Sequence, residues 1–304
     1  MVDVLCLSDC CADLVFEGLP SLPAPGGEVY GRRFSIRAGG GANTPMGLAR
    51  LGCTAAYAAT VGDDPLGRIV LSEMAQSGLD ISRVRRAGAG GTWVSAVLAT
   101  GGERSFASCA GQETDFRGAW LREAIEMAKR VHTYAYYAMK YPDIADCCRE
   151  TGARLSLDFA CDPALRLEDI APLLRQAETI TPNEAEACRL TGTGSAREAL
   201  AVLSAYCAGT VITLGAEGCL AAIEGAAYRV RPPRVEAENV SGAGDAFAAG
   251  LLYAGVRGLP AAERLRFACA AGALAVQCGG PGSETFRPEA VRALAAQVRV
   301  ERLI

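Results

Sequence analysis

Histidine is almost absent from this chain of 304 residues, where His132 stands alone. An HExxH helix, a multi-histidine zinc site and a two-histidine proton shuttle are therefore excluded within one chain. A Ser/His or Cys/His nucleophile would have to recruit His132, and no G-x-S-x-G elbow accompanies it. Lysine is nearly as scarce. Lys129 and Lys140 are the whole complement, and neither lies in a G-x-x-x-x-G-K-[ST] loop or a V-A-I-K strand. The 13 cysteines never fall into C-x-x-C spacing, and most sit among apolar residues, as at 4–7 and 267–270. There a reduced cysteine acts as a small hydrophobe, which predicts a reducing, cytoplasmic setting. No apolar run approaches the ~18 residues of a membrane helix. The N-terminus lacks a basic n-region followed by an apolar stretch, so no signal peptide is expected. With a net charge of −4, a nucleic-acid partner is not expected either.

Glycine is what the chain has in excess: 35 residues, well above the ~7% of average usage. Half the residues are hydrophobic and 21% are charged, enough for a large core and too apolar for disorder. Strand-like runs at 2–7, 55–61, 131–139, 154–158, 178–181 and 211–214 alternate with helical patterns such as 44–51 and 66–77. Thr44 reads as the N-cap of the helix at 44–51, with Pro45 at its first position. This rhythm predicts an α/β fold with a mostly parallel sheet covered by helices on both faces. Two stretches break it. Residues 13–37 are rich in Pro and Gly, with an extended run at 28–36, and 92–108 reads as two strands around a turn at 100–103. Together they predict a small β flap of the kind that covers a site and excludes water.

The most informative segment is Ser241-Gly242-Ala243-Gly244-Asp245, an extended stretch at 234–240 running into a glycine turn and then a helix. Free amide N–H groups and the positive dipole end make such a helix start an anion site. Asp245, in the first turn, could take a proton from a hydroxyl beside it. The alternative is structural, with Ser241 as cap and Asp245 complementing the dipole. A second cluster, Gly39-Gly40-Gly41-Ala42-Asn43, permits close approach of backbone to a ligand. Asn43 can donate and accept hydrogen bonds, as sugar hydroxyls require, or can be a plain turn residue.

In order along the chain, these segments are joined by Val61-Gly62-Asp63-Asp64-x-x-Gly67, Leu157-Asp158, Thr181-Pro182-Asn183-Glu184-Ala185-Glu186, Thr213-Leu214-Gly215-x-x-Gly218 and Gly244-Asp245-x-Phe247-x-x-Gly250. The set resembles the PfkB, or ribokinase-like, family of carbohydrate kinases over nearly the whole chain. The resemblance implies a single domain, 1–304, built as a ribokinase-like three-layer αβα sandwich with a small β-sheet lid near 13–37 and 92–108. It implies an ATP- and Mg²⁺-dependent kinase acting on a hydroxyl, by expectation a hydroxymethyl, of a sugar or sugar-like metabolite. Asp245 then matches the base, and Gly242, Ala243 and Gly244 the anion hole. Asp13, Gly39, Gly40 and Asn43 match sugar-contacting positions. Asn183 and Glu186 match an element that organises Mg²⁺ and phosphate, although Asn with Glu three residues on also imitates a capping box. Thr213, Gly215 and Gly218 match the nucleotide-side loop, or form a strand-to-turn exit. No protein-only metal site is expected, and a homodimer through the lid is.

The departures narrow the reading. Where the family often has Asp-Thr, this chain has Asn239-Val240, which weakens a monovalent-cation site. Cys11 stands where ribokinases tend to have an Asn that contacts the sugar. Lys140 falls where ribose kinases often carry a substrate-binding Glu, and is either an anion contact or a surface lysine. His132 reads as structural, and Trp93 and Trp120 as packing residues, with Trp93 able to stack on a sugar or base. A nucleoside kinase of the same fold and a non-catalytic sugar or nucleotide sensor are the competing readings.

Overall fold

The computed structural model describes residues 1–88, 90–100, 103–160, 164–236 and 242–303. The chain opens on β1 (Val2–Leu7), then sends β2 (Cys10–Leu19) and β3 (Arg33–Gly40) out of the main body. It returns through α1 (Asn43–Arg50), β4 (Ala55–Gly62), α2 (Pro65–Gln76) and β5 (Asp80–Ala87), and leaves again as β6 (Trp93–Thr100) and β7 (Glu103–Cys109). Then follow α3 (Ala119–Glu126), β8 (Ala128–Tyr134), α4 (Ala135–Lys140), α5 (Asp143–Thr151) and β9 (Arg154–Asp158). Next are α6 (Leu167–Leu174), β10 (Ala177–Thr181), α7 (Glu184–Thr191), α8 (Ala196–Leu203) and β11 (Thr210–Thr213). The chain closes with β12 (Cys219–Ile223), β13 (Ala226–Arg231), α9 (Ala243–Val256), α10 (Ala261–Cys278), α11 (Pro288–Ala295) and β14 (Arg299–Arg302).

Among the described residues, a ten-stranded sheet runs in the order β14-β13-β12-β11-β10-β9-β8-β1-β4-β5. From β5 to β11 neighbouring strands are parallel; from β11 to β14 they are antiparallel. Strand alternation splits the core in two. Val4 and Cys6 of β1 face one apolar cluster, with α1, α2, α9 and α10, whereas Leu5 and Leu7 face the other, with α3 to α8. That is a three-layer arrangement with helices on both faces. A separate four-stranded sheet, β3-β2-β6-β7, is the flap expected from the sequence.

The turn at 62–67 shows why its glycines and Asp64 stand where they do. Asp64 caps α2 by accepting from Gly67 N–H at 2.7 Å, and its other oxygen accepts from Thr92 N–H at 2.7 Å. A Cβ on Gly67 would stand 2.1 Å from the Gly62 carbonyl oxygen, so the loop closes only on glycine. The motif thus ties the root of β6 to α2.

Three local expectations change. α1 starts at Asn43 with Ala42 at the cap position and no side-chain cap, so Thr44 lies inside the helix and its hydroxyl is free for another partner. The run at 131–139 is not one strand: β8 ends at Tyr134 and the chain turns into α4. Its neighbour β9 ends at Asp158, opposite Tyr134, so no ladder is left for 135–139 to join. Within 28–36, strand pairing begins only at Arg33. Asn239, Val240 and Ser241, with Gly101 and Gly102 of the flap turn, lie outside the described residues.

Candidate active site

The N-termini of α1 and α9 meet, and the candidate site is built where they do. Gly242 precedes α9 with φ +76°, a left-handed conformation that glycine adopts without steric penalty. The first helical bond runs from Ala246 N–H to the Gly242 carbonyl at 2.8 Å. The amides of Ala243, Gly244 and Asp245 therefore have no acceptor within the helix. Gly244 is exposed, and nothing lies within 4 Å of a Cβ built on it. A helix of 14 residues ending in free amides beside open space favours an anion.

Asp245 stands in that first turn. Its Oδ1 accepts from Thr44 Oγ1 at 3.0 Å and from Tyr134 OH at 3.3 Å, and Asn43 adds a third side-chain hydrogen bond. Burial pushes the carboxyl above its ordinary range while the three donors pull it down. Tyr134 is held protonated well above the usual phenol range, first by the Asp245 charge and then by burial.

On one side of Asp245 is a cavity of about 230 Å³ lined by Tyr134, Asp158, Thr181, Asn183, Glu186, Thr213 and Gly244 among others. Asp158 is pushed up to about 8, by burial first and then by the charge of Asp245. Asn183 and Glu186 form a capping box on α7: Glu186 N–H donates to Asn183 Oδ1 at 2.9 Å, and Asn183 N–H to Glu186 Oε2 at 2.9 Å. Both also face the cavity, so capping and lining coexist. Thr213 is fixed by its N–H to the Pro182 carbonyl, 3.0 Å. Gly215 and Gly218 are not among the lining residues. A Cβ on Gly218 would lie 2.1 Å from the Val230 carbonyl oxygen, so that glycine is required by packing.

Asp13 and Asn43 line a second, smaller pocket of about 50 Å³ with Arg37, Met46, Arg104 and the loop 279–282. Asn43 thus borders this pocket and touches Asp245. A Cβ on Gly39 would fall 2.1 Å from Asp13 Oδ2, which explains glycine at that position. Gly40, with φ +58°, completes the turn without lining the pocket. Asp13 is pushed up to about 6 by burial, against a hydrogen bond from the Cys11 thiol and the Arg104 charge. Glu73 of α2 holds the strand that carries these residues, accepting from Ala38 N–H at 2.5 Å and Arg37 Nε at 2.6 Å.

Several singled-out residues fall elsewhere. His132 is buried, shares a hydrogen bond with Ser156 Oγ at 3.2 Å, and is pushed down to about 4 by burial. Lys140 pairs with Glu113, away from both cavities. Trp93 Nε1 donates to the Gln112 carbonyl at 3.0 Å, and Arg85 lies 3.8 Å over the Trp120 ring. Thr44, Tyr134, Asp158, Glu73 and Arg104 were not anticipated as site residues. Leu157-Asp158 was visible as a motif, but its charge environment was not.

The model described as pfkB family carbohydrate kinase matches residues 1–287, and the chain belongs to this family. It is an ATP-dependent carbohydrate kinase. It is 28% identical over 277 residues to the ribokinase of Haemophilus influenzae, covering 87% of this chain and 89% of the relative. With the 1-phosphofructokinase of Rhodobacter capsulatus it shares 37% over 174 residues, covering 55% and 52% of the two. Among solved structures, Arabidopsis thaliana ribokinase complexed with ribose and ATP superimposes with a TM-score of 0.83 at 23% identity, covering 97% of this chain and 98% of that one.

Proposed function

We propose that the chain transfers the γ-phosphoryl group of ATP to a hydroxymethyl group of a sugar-like acceptor, with Asp245 as the base. The carrying observation is the position of Asp245 in the wall of the larger cavity, in the first turn of a helix whose leading amides are free, with its neighbour Asn43 in the wall of the smaller pocket. The acceptor occupies the pocket of Asp13 and Asn43, where a carboxylate and an amide bind hydroxyls. The triphosphate lies over the Gly242, Ala243 and Gly244 turn, its nucleotide end toward Thr213 and the Gly215 to Gly218 loop. Asp245 receives the hydroxyl proton as oxygen attacks phosphorus, and the amides take up charge on the transferring group.

The donor set of the larger cavity suits Mg²⁺. Asp158, Glu186 and Asn183 offer hard oxygen ligands. Among the described residues no group of three or more His, Cys, Asp or Glu side chains is placed to hold a metal alone. An ion that keeps its waters and binds mainly to phosphate needs only one or two carboxylates. Asp158 and Glu186 would hold it, and it would neutralise phosphate charge during transfer.

Replacing Asp245 by Asn tests the base. Folding and ATP binding should persist while kcat falls ~10²–10⁴-fold. Full activity in that variant would sink the assignment.

A homodimer through the small sheet completes the reading. Its register places Phe16 opposite Phe34 and Leu98, with the two rings 5.0 Å apart and Phe34 53% exposed. An exposed apolar sheet face asks for a cover. Sedimentation should show a dimer that Phe34→Asp dissociates; a native monomer would reject it. No helix among the described residues is long and apolar enough to cross a membrane, and the described cysteines are free. Both features accord with a cytoplasmic setting.

A further inference from the structure

We propose that the acceptor is an anionic sugar, a sugar acid or a sugar phosphate, whose charged group is received by Arg104 and Arg37. This rests on the reading of the Asp13 pocket as the acceptor site. Sheet register brings the two arginines together from distant parts of the chain. Arg37 of β3 lies opposite Asp13 of β2, Asp13 is level with Ser95 of β6, and Ala99 of β6 is opposite Arg104 of β7. Strand alternation puts all of them on one face, and both arginines line the pocket beside Asp13 and Asn43.

The two arginines are in different states, and both leave room for an anion. Arg37 is fixed by Glu73, which engages its Nε at 2.6 Å, and its terminal nitrogens carry no hydrogen bond among the described residues. Arg104 is half-buried, yet no described carboxylate lies within ion-pair distance of it. Glu17, its nearest charged neighbour by influence, is already engaged by Arg33 at 2.5 Å. Asp13 acts on Arg104 only at longer range. Burial has removed water from this guanidinium without supplying a partner, and its pKa is lowered accordingly.

An unpaired, partly buried cation is costly unless an anion arrives with the ligand. The planar fork of arginine fits carboxylate and phosphate oxygens with two parallel hydrogen bonds. Asp13 meanwhile suits hydroxyls, not charge. The pocket therefore sorts an acceptor by end: hydroxyls toward Asp13 and Asn43, the anionic group toward Arg104 and Arg37. A neutral sugar would leave Arg104 desolvated and unpaired, a penalty that works as discrimination.

The test is ATP turnover by the full chain on three acceptor sets of matched carbon skeleton: neutral sugars, sugar acids and sugar monophosphates. One anionic set should exceed the neutral set in kcat/KM, and which one it is distinguishes carboxylate from phosphate. In Arg104→Met the preference for anionic over neutral acceptors should collapse by about 30-fold or more, chiefly through KM. A neutral sugar as best acceptor, or an equal loss on all sets in Arg104→Met, would overturn the proposal. Thermal shift of the native protein and Arg104→Met with each sugar, without ATP, needs no turnover. Stabilisation by an anionic sugar in the native protein, lost in the variant, supports the proposal; none from any anionic sugar defeats it. Failure of the base assignment reads differently: Asp245→Asn would stay active while the anionic preference persisted.

Discussion

The Thr44 hydroxyl donates to Asp245 Oδ1 at 3.0 Å, joining the first turn of α1 to the first turn of α9 across 201 residues of chain. Tyr134 OH reaches the same oxygen at 3.3 Å. These donors lower the carboxyl's pKa against burial, which raises it. Removing one, in Thr44→Val or Tyr134→Phe, raises the Asp245 pKa further. The acid limb of the pH profile of kcat/KM should therefore move to higher pH in either variant. An unmoved limb would show that the donors do not tune the base.

Glu186 serves a helix cap and a cavity wall at once, and two substitutions separate the roles. Glutamine at this position still caps, so Glu186→Gln should change stability by less than about 0.5 kcal/mol. It should nevertheless raise the Mg²⁺ concentration needed for half-maximal activity. Glu186→Ala should do the same and lose about 1 kcal/mol in denaturant unfolding. Native Mg²⁺ dependence in Glu186→Gln would leave the residue with its capping role alone.

In the absence of Mg²⁺, Asp158 makes stability fall as pH rises. Its folded-state pKa, about 8, lies above the ordinary value of 3.8, so unfolding at neutral pH releases its proton. The contribution is fully present below about 4 and is lost as pH rises through about 8. The melting temperature should fall over that window, and Asp158→Asn should flatten the fall by raising the alkaline end. A parallel fall in the variant would assign the dependence to other groups.

Two glycines should respond to alanine in opposite ways. Gly218→Ala places a Cβ 2.1 Å from the Val230 backbone oxygen at φ +87°, where nothing can yield. Its stability loss should be on the order of 2–4 kcal/mol by chemical denaturation. Gly39→Ala meets the Asp13 carboxylate, a side chain that can swing aside. The expected result is a smaller stability loss with an acceptor KM raised about 10-fold, roughly 1.4 kcal/mol of binding, and an unchanged KM for ATP.

The strand–helix alternation, the parallel sheet, the flap and the glycine turns before α1 and α9 were legible in the residues alone, whereas the antiparallel edge β12 to β14 and the break at Tyr134 were not. Each of the legible features rests on local rules: short apolar runs such as 2–7, and glycine where backbone or a side chain passes close. Asp245 and Asn43 stood out as candidates because each stands beside such a turn, whereas Asp13, inside β2, was singled out by the family resemblance alone. Thr44 shows where local rules stop. Its hydroxyl was free to cap α1, and it serves Asp245 instead because α9 packs across α1. Tyr134 was hidden inside a β-rich run and became a site residue only because β9 ends at Asp158.

What the sequence by itself determined is the run of backbone conformations and the chemical groups set at their turns. The tertiary structure alone decided which groups share an oxygen, which carboxyls lose water, and which arginine is left unpaired. Backbone preference is settled within a few residues, whereas the partner and solvation of a side chain depend on surfaces that meet only after the sheets have closed.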